Sequence, residues 1–297
     1  MLISVIIPHF NQPDHLRTGL ERLRDQKGCT AEVEVIVVDN GSRALPTEIC
    51  AAFGATLLTE ASQGPGPARN TGAASARGDV LAFIDADCHA HPDWLATIQS
   101  AFHDPATQII GGDVRVGYAD PGRPTFLEPY EAIYSYRNEE HIRDGFSGTG
   151  NLATRPTVLA HVGPFAGIGV AEDRDWGLRA GALGYGIRYV PGMIVYHPAR
   201  KSMSELTQKW DRHIAHDFAL FQKKPLGWLR WVARAVAVAG SPLFEVPTIL
   251  RSNRVTGARE RALALACLIR IRAYRGAAMI RFMANRTAHA DRIDWRR

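Results

Sequence analysis

Three times within the first 90 residues a short apolar run ends abruptly in polar or acidic residues. Residues 3–7 run into Pro8, residues 34–38 into Asp39-Asn40-Gly41-Ser42, and residues 80–84 into Asp85-Ala86-Asp87. Between these runs the apolar spacing is helical: residues 14–27 place Leu16, Leu20 and Leu23 on one face, and residues 47–53, 66–76 and 92–102 also read as helices. Short strands are expected at 56–59 and from residue 109. Alternating strand and helix signals predict a mostly parallel sheet flanked by helices, because parallel neighbours need a crossover that packs back on the sheet. In such sheets ligands gather beyond the carboxyl ends of the strands, so the three polar run-ends are expected to meet.

Asp85-Ala86-Asp87 carries the most chemistry. In extended backbone, residues i and i+2 share a side, so a strand continuing past Ile84 would offer both carboxylates to one ligand. Two hard oxygen donors suit Mg²⁺ or Mn²⁺ carrying a diphosphate, since these ions take their other ligands from phosphate and water. With 17 Asp in 297 residues, chance gives about one such pair. Asp173-Arg174-Asp175 is indeed a second one. Context separates them: the first closes a strand, while the second opens a helical stretch at 171–183, whose positive end favours acids.

A chain with 46% hydrophobic residues can bury a large core. Its four cysteines are scattered and form no Cys-x-x-Cys pair, which argues against a zinc site and fits a reducing compartment. The apolar start reads as a first strand rather than a leader. The pattern divides near residue 200 into an α/β domain, 1–200, and a helical region, 201–297. The stretch 118–150 within the first reads as a loop-and-helix insert rich in aromatics. From Arg251 to Arg297 there are 12 Arg against three acids, a charge of +9 that leaves −4 on the rest of a chain with net charge +5. That basic region suggests an anionic partner, a membrane surface, nucleic acid or an acidic neighbour, with a solvated helical face as the plain alternative; of these an anionic membrane surface is the expected partner and nucleic acid is not. Residues 226–238, with Arg230 and Arg234 four apart and Trp228 and Trp231 beside them, fit a helix lying on a membrane or packed on its own domain. No stretch is apolar for the roughly 20 residues that spanning requires. The stripe Leu263, Cys267, Ile271, Tyr274, Ala278, Phe282 is interrupted by Arg270 and Arg281 at nearly the same angles and gives no clear reading.

Ser4-Val5-Ile6-Ile7-Pro8-His9-Phe10-Asn11 resembles the opening strand of family 2 glycosyltransferases, which have the GT-A fold, and Val37-Val38-Asp39-Asn40-Gly41-Ser42 resembles their second strand end. Gly64-Pro65-Gly66-Pro67-Ala68-Arg69-Asn70 looks like the family's Gly-rich approach to a helix. Asp85-Ala86-Asp87 matches the family's Asp-x-Asp, and Ala171-Glu172-Asp173-Arg174-Asp175-Trp176 its acidic motif. The resemblance covers about residues 2–200. It implies that Pro8, His9, Asn11 and Asp39 wall a nucleotide, that Gly66 and Arg69 approach its phosphates, that Asp85 faces the ribose, and that Asp87 reaches the metal, with His197 as a further metal or diphosphate ligand.

The implied reaction is inverting transfer of a sugar from a nucleotide-diphospho-sugar, a UDP-sugar first among them, to a hydroxyl of a carbohydrate or lipid-linked acceptor. Asp173 is the expected general base, with Glu172 and then Asp175 as alternatives. Trp176 and Arg179 are acceptor candidates, with core packing the plainer role for Trp176. The Gln-x-x-Arg-Trp motif of the family's processive members is absent. The resemblance implies a cytoplasmic enzyme, peripheral on the inner face of the plasma membrane. A sugar-nucleotide-forming nucleotidyltransferase would want a Gly-rich, basic loop after the first strand, where Pro8-His9-Phe10-Asn11 stands. A degenerate, non-catalytic binding module is the remaining alternative.

Overall fold

The computed structural model describes residues 1–222 and 226–284. The chain divides into two compact units, Met1–Gly117 with Arg137–Pro198, and Tyr118–Tyr136 with Ala199–Arg297. The second unit thus takes in part of the aromatic insert, which a linear division at residue 200 leaves in the first.

The first unit holds one mixed sheet of eight strands: β1 (Leu2–His9), β2 (Glu32–Asp39), β3 (Thr56–Thr59), β4 (Val80–Ile84), β5 (His89–Ala90), β6 (Ile109–Gly117), β7 (Asn151–Thr154) and β8 (Ile187–Pro198). Their order is β3-β2-β1-β4-β7-β6-β8-β5. The β1–β2, β1–β4, β2–β3 and β6–β8 pairs are parallel; β7 runs antiparallel to both its neighbours and β5 antiparallel to β8. The helices are α1 (Pro13–Arg24), α2 (Thr47–Ala52), α3 (Pro65–Ser75), α4 (Trp94–Phe102), α6 (Asn138–Arg143), α7 (Pro156–Val162) and α8 (Glu172–Ala182).

Strand alternation sorts the core into two layers. Ile3, Val5 and Ile7 of β1 and Val80, Ala82 and Ile84 of β4 pack with Leu16 and Leu20 of α1 and Trp94 and Ile98 of α4. Ile6, Leu81 and Phe83 point the other way, onto Val158, Phe165 and Trp176. This is the helix-flanked sheet that the apolar runs predict.

β4 and β5 are joined by only residues 85–88, yet three strands lie between them in the sheet order. Four inter-strand steps of about 4.8 Å would put them about 19 Å apart in a flat sheet. The linking residues form a turn closed by Cys88 N–H donating to the Asp85 carbonyl at 2.9 Å, far too short for that span. The sheet therefore curls, and its far edge returns to the end of β4. The long strand β8 is continuous, but its register against β6 jumps between Gly112 and Asp113 and leaves residues 191–193 as a bulge. Asn151 pins this bulge, donating from Nδ2 to the carbonyls of Asp113 and Met193, both at 2.8 Å, while accepting from Trp94 Nε1 at 2.8 Å.

The second unit is helical in its described residues: α5 (Glu128–Tyr134), α9 (Met203–Gln222), α10 (Gly227–Gly240), α11 (Pro242–Arg251) and α12 (Gly257–Ala284). Ala264, Cys267, Leu268 and Ile271 of α12 form a core with Tyr130, Leu206 and Ile249, and Ala278 and Met279 form another with Ile214, Phe218 and Trp231. No single described helix is long and apolar enough to cross a membrane; α10 and α11 pass that test only as a pair bent by 46°.

Candidate active site

The ends of β1 and β2 are tied into one knot. His9 Nδ1 lies 2.9 Å from Asp39 Oδ2, and Gln12 N–H points to His9 Nε2 at 3.2 Å. Nε2 must therefore accept, which leaves the proton on Nδ1, donated to Asp39. Asp39 Oδ1 accepts from the N–H groups of Gly41 and Ser42 at 3.1 and 3.0 Å. Burial alone drives the Asp39 carboxyl upward, but the hydrogen bonds from Ser42 and His9 outweigh it and hold its pKa below the ordinary value. Asn11, held at φ 53°, donates its N–H to Ser42 Oγ at 2.8 Å and accepts Arg43 N–H at 2.9 Å. Pro8 is the penultimate residue of β1, paired with Val38. Thus Pro8, His9, Asn11 and Asp39 do converge, with both Asp39 oxygens engaged inside the protein.

At the end of β4 the two aspartates part company. Extended backbone stops at Ile84, and the turn that follows sends each carboxylate to a different partner. Asp85 Oδ1 accepts from Arg69 Nη2 at 2.6 Å. Asp87 Oδ2 lies 3.4 Å from His197 Nε2 and 3.5 Å from Gln12 Nε2. The sequence-based picture of two side chains sharing one strand face is corrected here, because the strand ends at Ile84, before either aspartate.

Arg69, on α3, is 3% exposed and reaches Glu172 Oε1 through Nη1 at 3.0 Å as well as Asp85. Burial works against its charge, yet the two carboxylates raise its pKa above the ordinary value. It is a strut between the end of β4 and the first turn of α8. Gly66, one turn earlier, packs so closely that a Cβ there would overlap the Ala166 carbonyl oxygen. Its smallness serves the seating of α3 against the loop after α7.

The three acids opening α8 are not equivalent. Glu172 is held by Arg69, and Asp175 pairs with Arg179 at 2.8 Å. The Asp173 carboxylate accepts the Arg174 N–H at 2.7 Å and has no cationic partner among the described residues. Of the three it is the acid left without an ion pair among the described residues.

His197 Nδ1 faces the Pro198 carbonyl oxygen at 2.7 Å, so the ring proton belongs there and Nε2 turns a lone pair toward Asp87. Asp87, Cys88 and His197 bring ligand atoms within 4.8 Å of one another. Burial, and then the charges of Asp85 and Asp87, push the Cys88 thiol well above its ordinary pKa, so the fitting donors for a hard cation are the carboxylate and the imidazole. A carboxylate oxygen and an imidazole lone pair at 3.4 Å repel unless a cation or proton lies between them, so the pair fits a divalent ion.

Residues 4–168 match the model of the family described as Glycosyl transferase family 2. The chain belongs to glycosyl transferase family 2. The glycosyltransferase AglE of Haloferax volcanii is 33% identical to it over 215 residues, covering 70% of each chain. A pre-mycofactocin glycosyltransferase of Mycobacterium tuberculosis is 29% identical over 217 residues, 68% of this chain but only 44% of that longer protein. Among solved structures, a mannosyltransferase from Pyrobaculum calidifontis in complex with GDP-Man and Mn²⁺ superposes with a TM-score of 0.57 at 17% identity, covering 96% of this chain and 87% of that one. TarS 1–349 of S. aureus in complex with UDP superposes with a TM-score of 0.53 at 16% identity, over 96% and 92%. These show the shared GT-A fold. The family 2 transferase is thus an enzyme that transfers glycosyl groups, which sets aside the nucleotidyltransferase and the non-catalytic module.

Two acceptor candidates take other parts. Trp176 is 1% exposed, stacks near Phe165 and donates Nε1–H to the Gly163 carbonyl at 3.0 Å, so it is core. Arg179 donates to the carbonyls of Val162 and Pro164 at 2.6 and 2.7 Å, which clamps α8 to the preceding turn. Gln12 and Gly150 escaped the sequence reading. A Cβ on Gly150 would stand 2.7 Å from Asp85 Oδ2, so only glycine leaves that carboxylate its place. Neither has a motif of its own; both become visible only when the strand ends assemble.

Proposed function

We propose that the protein transfers a sugar from a nucleotide-diphospho-sugar, a UDP-sugar first among candidates, to a hydroxyl of a carbohydrate or lipid-linked acceptor, with inversion at the anomeric carbon. The observation that carries this reading is the split of the aspartate pair: Asp85 is anchored on Arg69 and Asp87 faces His197. That arrangement supports a donor site in which Asp85 meets the ribose and Asp87 with His197 holds Mn²⁺ or Mg²⁺, the imidazole favouring Mn²⁺. When bound, the ion neutralises charge on the departing diphosphate. Asp173 takes the acceptor hydroxyl proton as its oxygen bonds to the anomeric carbon and the bond to the diphosphate oxygen breaks. With Asp173 as the base and no covalent nucleophile assigned among the described residues, the reading is a single displacement. The His9–Asp39 knot supports a nucleotide wall built mainly from backbone, since Asp39 is already engaged.

The helical unit is proposed to rest on an anionic membrane surface, on the cytoplasmic side. Along α10 and α11 the outward side chains include Trp228, Leu229, Val236, Leu243 at 80% and Phe244 at 83% exposure. The one acid of these helices, Glu245, is turned inward to Tyr134 and Arg272. An apolar face with Arg230 and Arg251 at its ends suits an anionic interface.

The test is calorimetry of UDP with and without Mn²⁺, followed by a nucleotide-sugar screen and the anomeric assignment of the product by NMR. Metal-dependent UDP binding and an inverted product are expected; binding indifferent to EDTA, or a retained configuration, would overturn the donor site or the displacement. For the membrane surface, Phe244→Glu is expected to lose co-sedimentation with phosphatidylglycerol vesicles, and equal sedimentation of variant and wild type would refute it.

A further inference from the structure

The second unit contains a cluster of cations that its own acids do not balance. Glu131 on α5 is fully buried and is taken by Arg200, through both the Arg200 side chain and its N–H at 2.9 Å. Glu245 is taken by Arg272 at 3.1 Å and by Tyr134. Lys209 on α9 and Arg275 on α12 have no carboxylate within ion-pair distance among the described residues. Arg275 instead lies over the Trp210 ring with its guanidinium carbon 3.4 Å from the centroid. Stacking of this kind leaves the guanidinium edge free to donate in its plane. Trp210 Nε1, Arg275 Nε and Arg272 Nε are buried with no hydrogen-bond partner.

We propose that Lys209, Arg275 and the Trp210 indole N–H form a binding site for a phosphate or diphosphate group, beside the Arg200–Glu131 pair. The charge count selects that class. Among the described residues Arg200, Arg272 and Arg234 are each paired with an acid (Glu131, Glu245 and Asp217), which leaves the two charges of Lys209 and Arg275; a carboxylate would only halve these, whereas a phosphate monoester carries about −1.5 to −2. Donors on a planar fork, an indole and a mobile ammonium match the tetrahedral oxygens of phosphate. Burial, then the neighbouring Arg200, pushes the Lys209 ammonium down to about 8, and burial with Arg272 pushes Arg275 down to about 10, with Glu131 and Asp217 respectively acting the other way but not prevailing. Lys209 and Arg275 are each only partly buried. All of these residues belong to the helical unit, and their reading does not rest on the donor site.

The test uses the full chain in EDTA, which removes metal-dependent diphosphate binding elsewhere, and titrates inorganic pyrophosphate by calorimetry. Wild type is expected to bind, and Lys209→Gln and Arg275→Gln each to bind at least tenfold more weakly. Lys209→Gln removes a buried charge without a partner, so its fold is expected to survive, which its thermal transition would verify. Vesicles of phosphatidylcholine with phosphatidic acid distinguish the source: sedimentation lost in Lys209→Gln assigns the phosphate to a lipid headgroup, while pyrophosphate binding lost with vesicle binding unchanged assigns it to a soluble ligand. No pyrophosphate binding and no Lys209-dependent vesicle binding in wild type, or equal affinities in wild type and Lys209→Gln, would overturn the proposal.

Discussion

Arg69 in the sheet-based unit and Arg275 in the helical unit are both largely buried arginines, and they are built in opposite ways. Arg69 lies between two carboxylates that raise its pKa. Arg275 lies on an indole, with no carboxylate in contact, and burial lowers its pKa to about 10. The first arrangement fixes a scaffold, because removing any member strands a charge. The second leaves a charge with no ion pair among the described residues. The same distinction runs through the first turn of α8, where paired Glu172 and Asp175 flank unpaired Asp173.

If unpaired groups do the work, Asp173→Asn should cost the most activity: turnover down on the order of 10³-fold, with UDP binding and thermal stability near wild type. Glu172→Gln with the larger turnover loss would invert the assignment. Asp87→Asn, or EDTA on wild type, should lower turnover by roughly 10²-fold and abolish the Mn²⁺ dependence of UDP binding in calorimetry. Arg69→Met should destabilise the fold by about 3 kcal/mol in urea titration, since it strands Asp85 beside Glu172. Arg275→Met should change stability by less than about 1 kcal/mol in the same titration, because no ion pair is broken; equal losses for the two arginines would erase the contrast. The smallest effect is a pH signature. The Lys209 pKa is lowered from 10.5 to about 8, so the unfolded chain holds its proton where the folded one does not. Stability should therefore rise with pH between those values relative to Lys209→Met, and parallel profiles would remove Lys209 from the argument.

The sheet-based unit was largely legible because its signals are local. Short contiguous apolar runs and the turn residues that end them give β1, β2 and β4 directly, and Asp39, Asp85 and Asp87 sit where those runs stop. What was hidden depends on pairing across distance. β5 has two residues, too few for any pattern, yet it turns the Asp87 segment toward β8. The Arg69–Glu172 bridge joins residues 103 apart, so Glu172 looked as available as Asp173. The helical unit was harder for a different reason. Along α12 the arginines share angles with the apolar stripe, and the fold absorbs them on aromatic faces: Arg270 over Phe126, Arg275 over Trp210 and Arg281 over Tyr274. A stripe of mixed charge and hydrocarbon can thus be core, which periodicity alone does not disclose.

The two-residue strand β5 has a consequence for how the metal pair is dimensioned. His89 pairs with Tyr196 on β8, so Asp87, two residues before His89, and His197, one residue after Tyr196, are spaced by a single antiparallel ladder. Their separation is a backbone measurement, like two marks on one ruler, and side-chain repacking elsewhere does not alter it. Loops elsewhere can therefore vary in sequence and length while the proposed cation site keeps its gauge, whereas one residue inserted between Asp87 and His89 is expected to shift one mark against the other and to leave a folded sheet without that site.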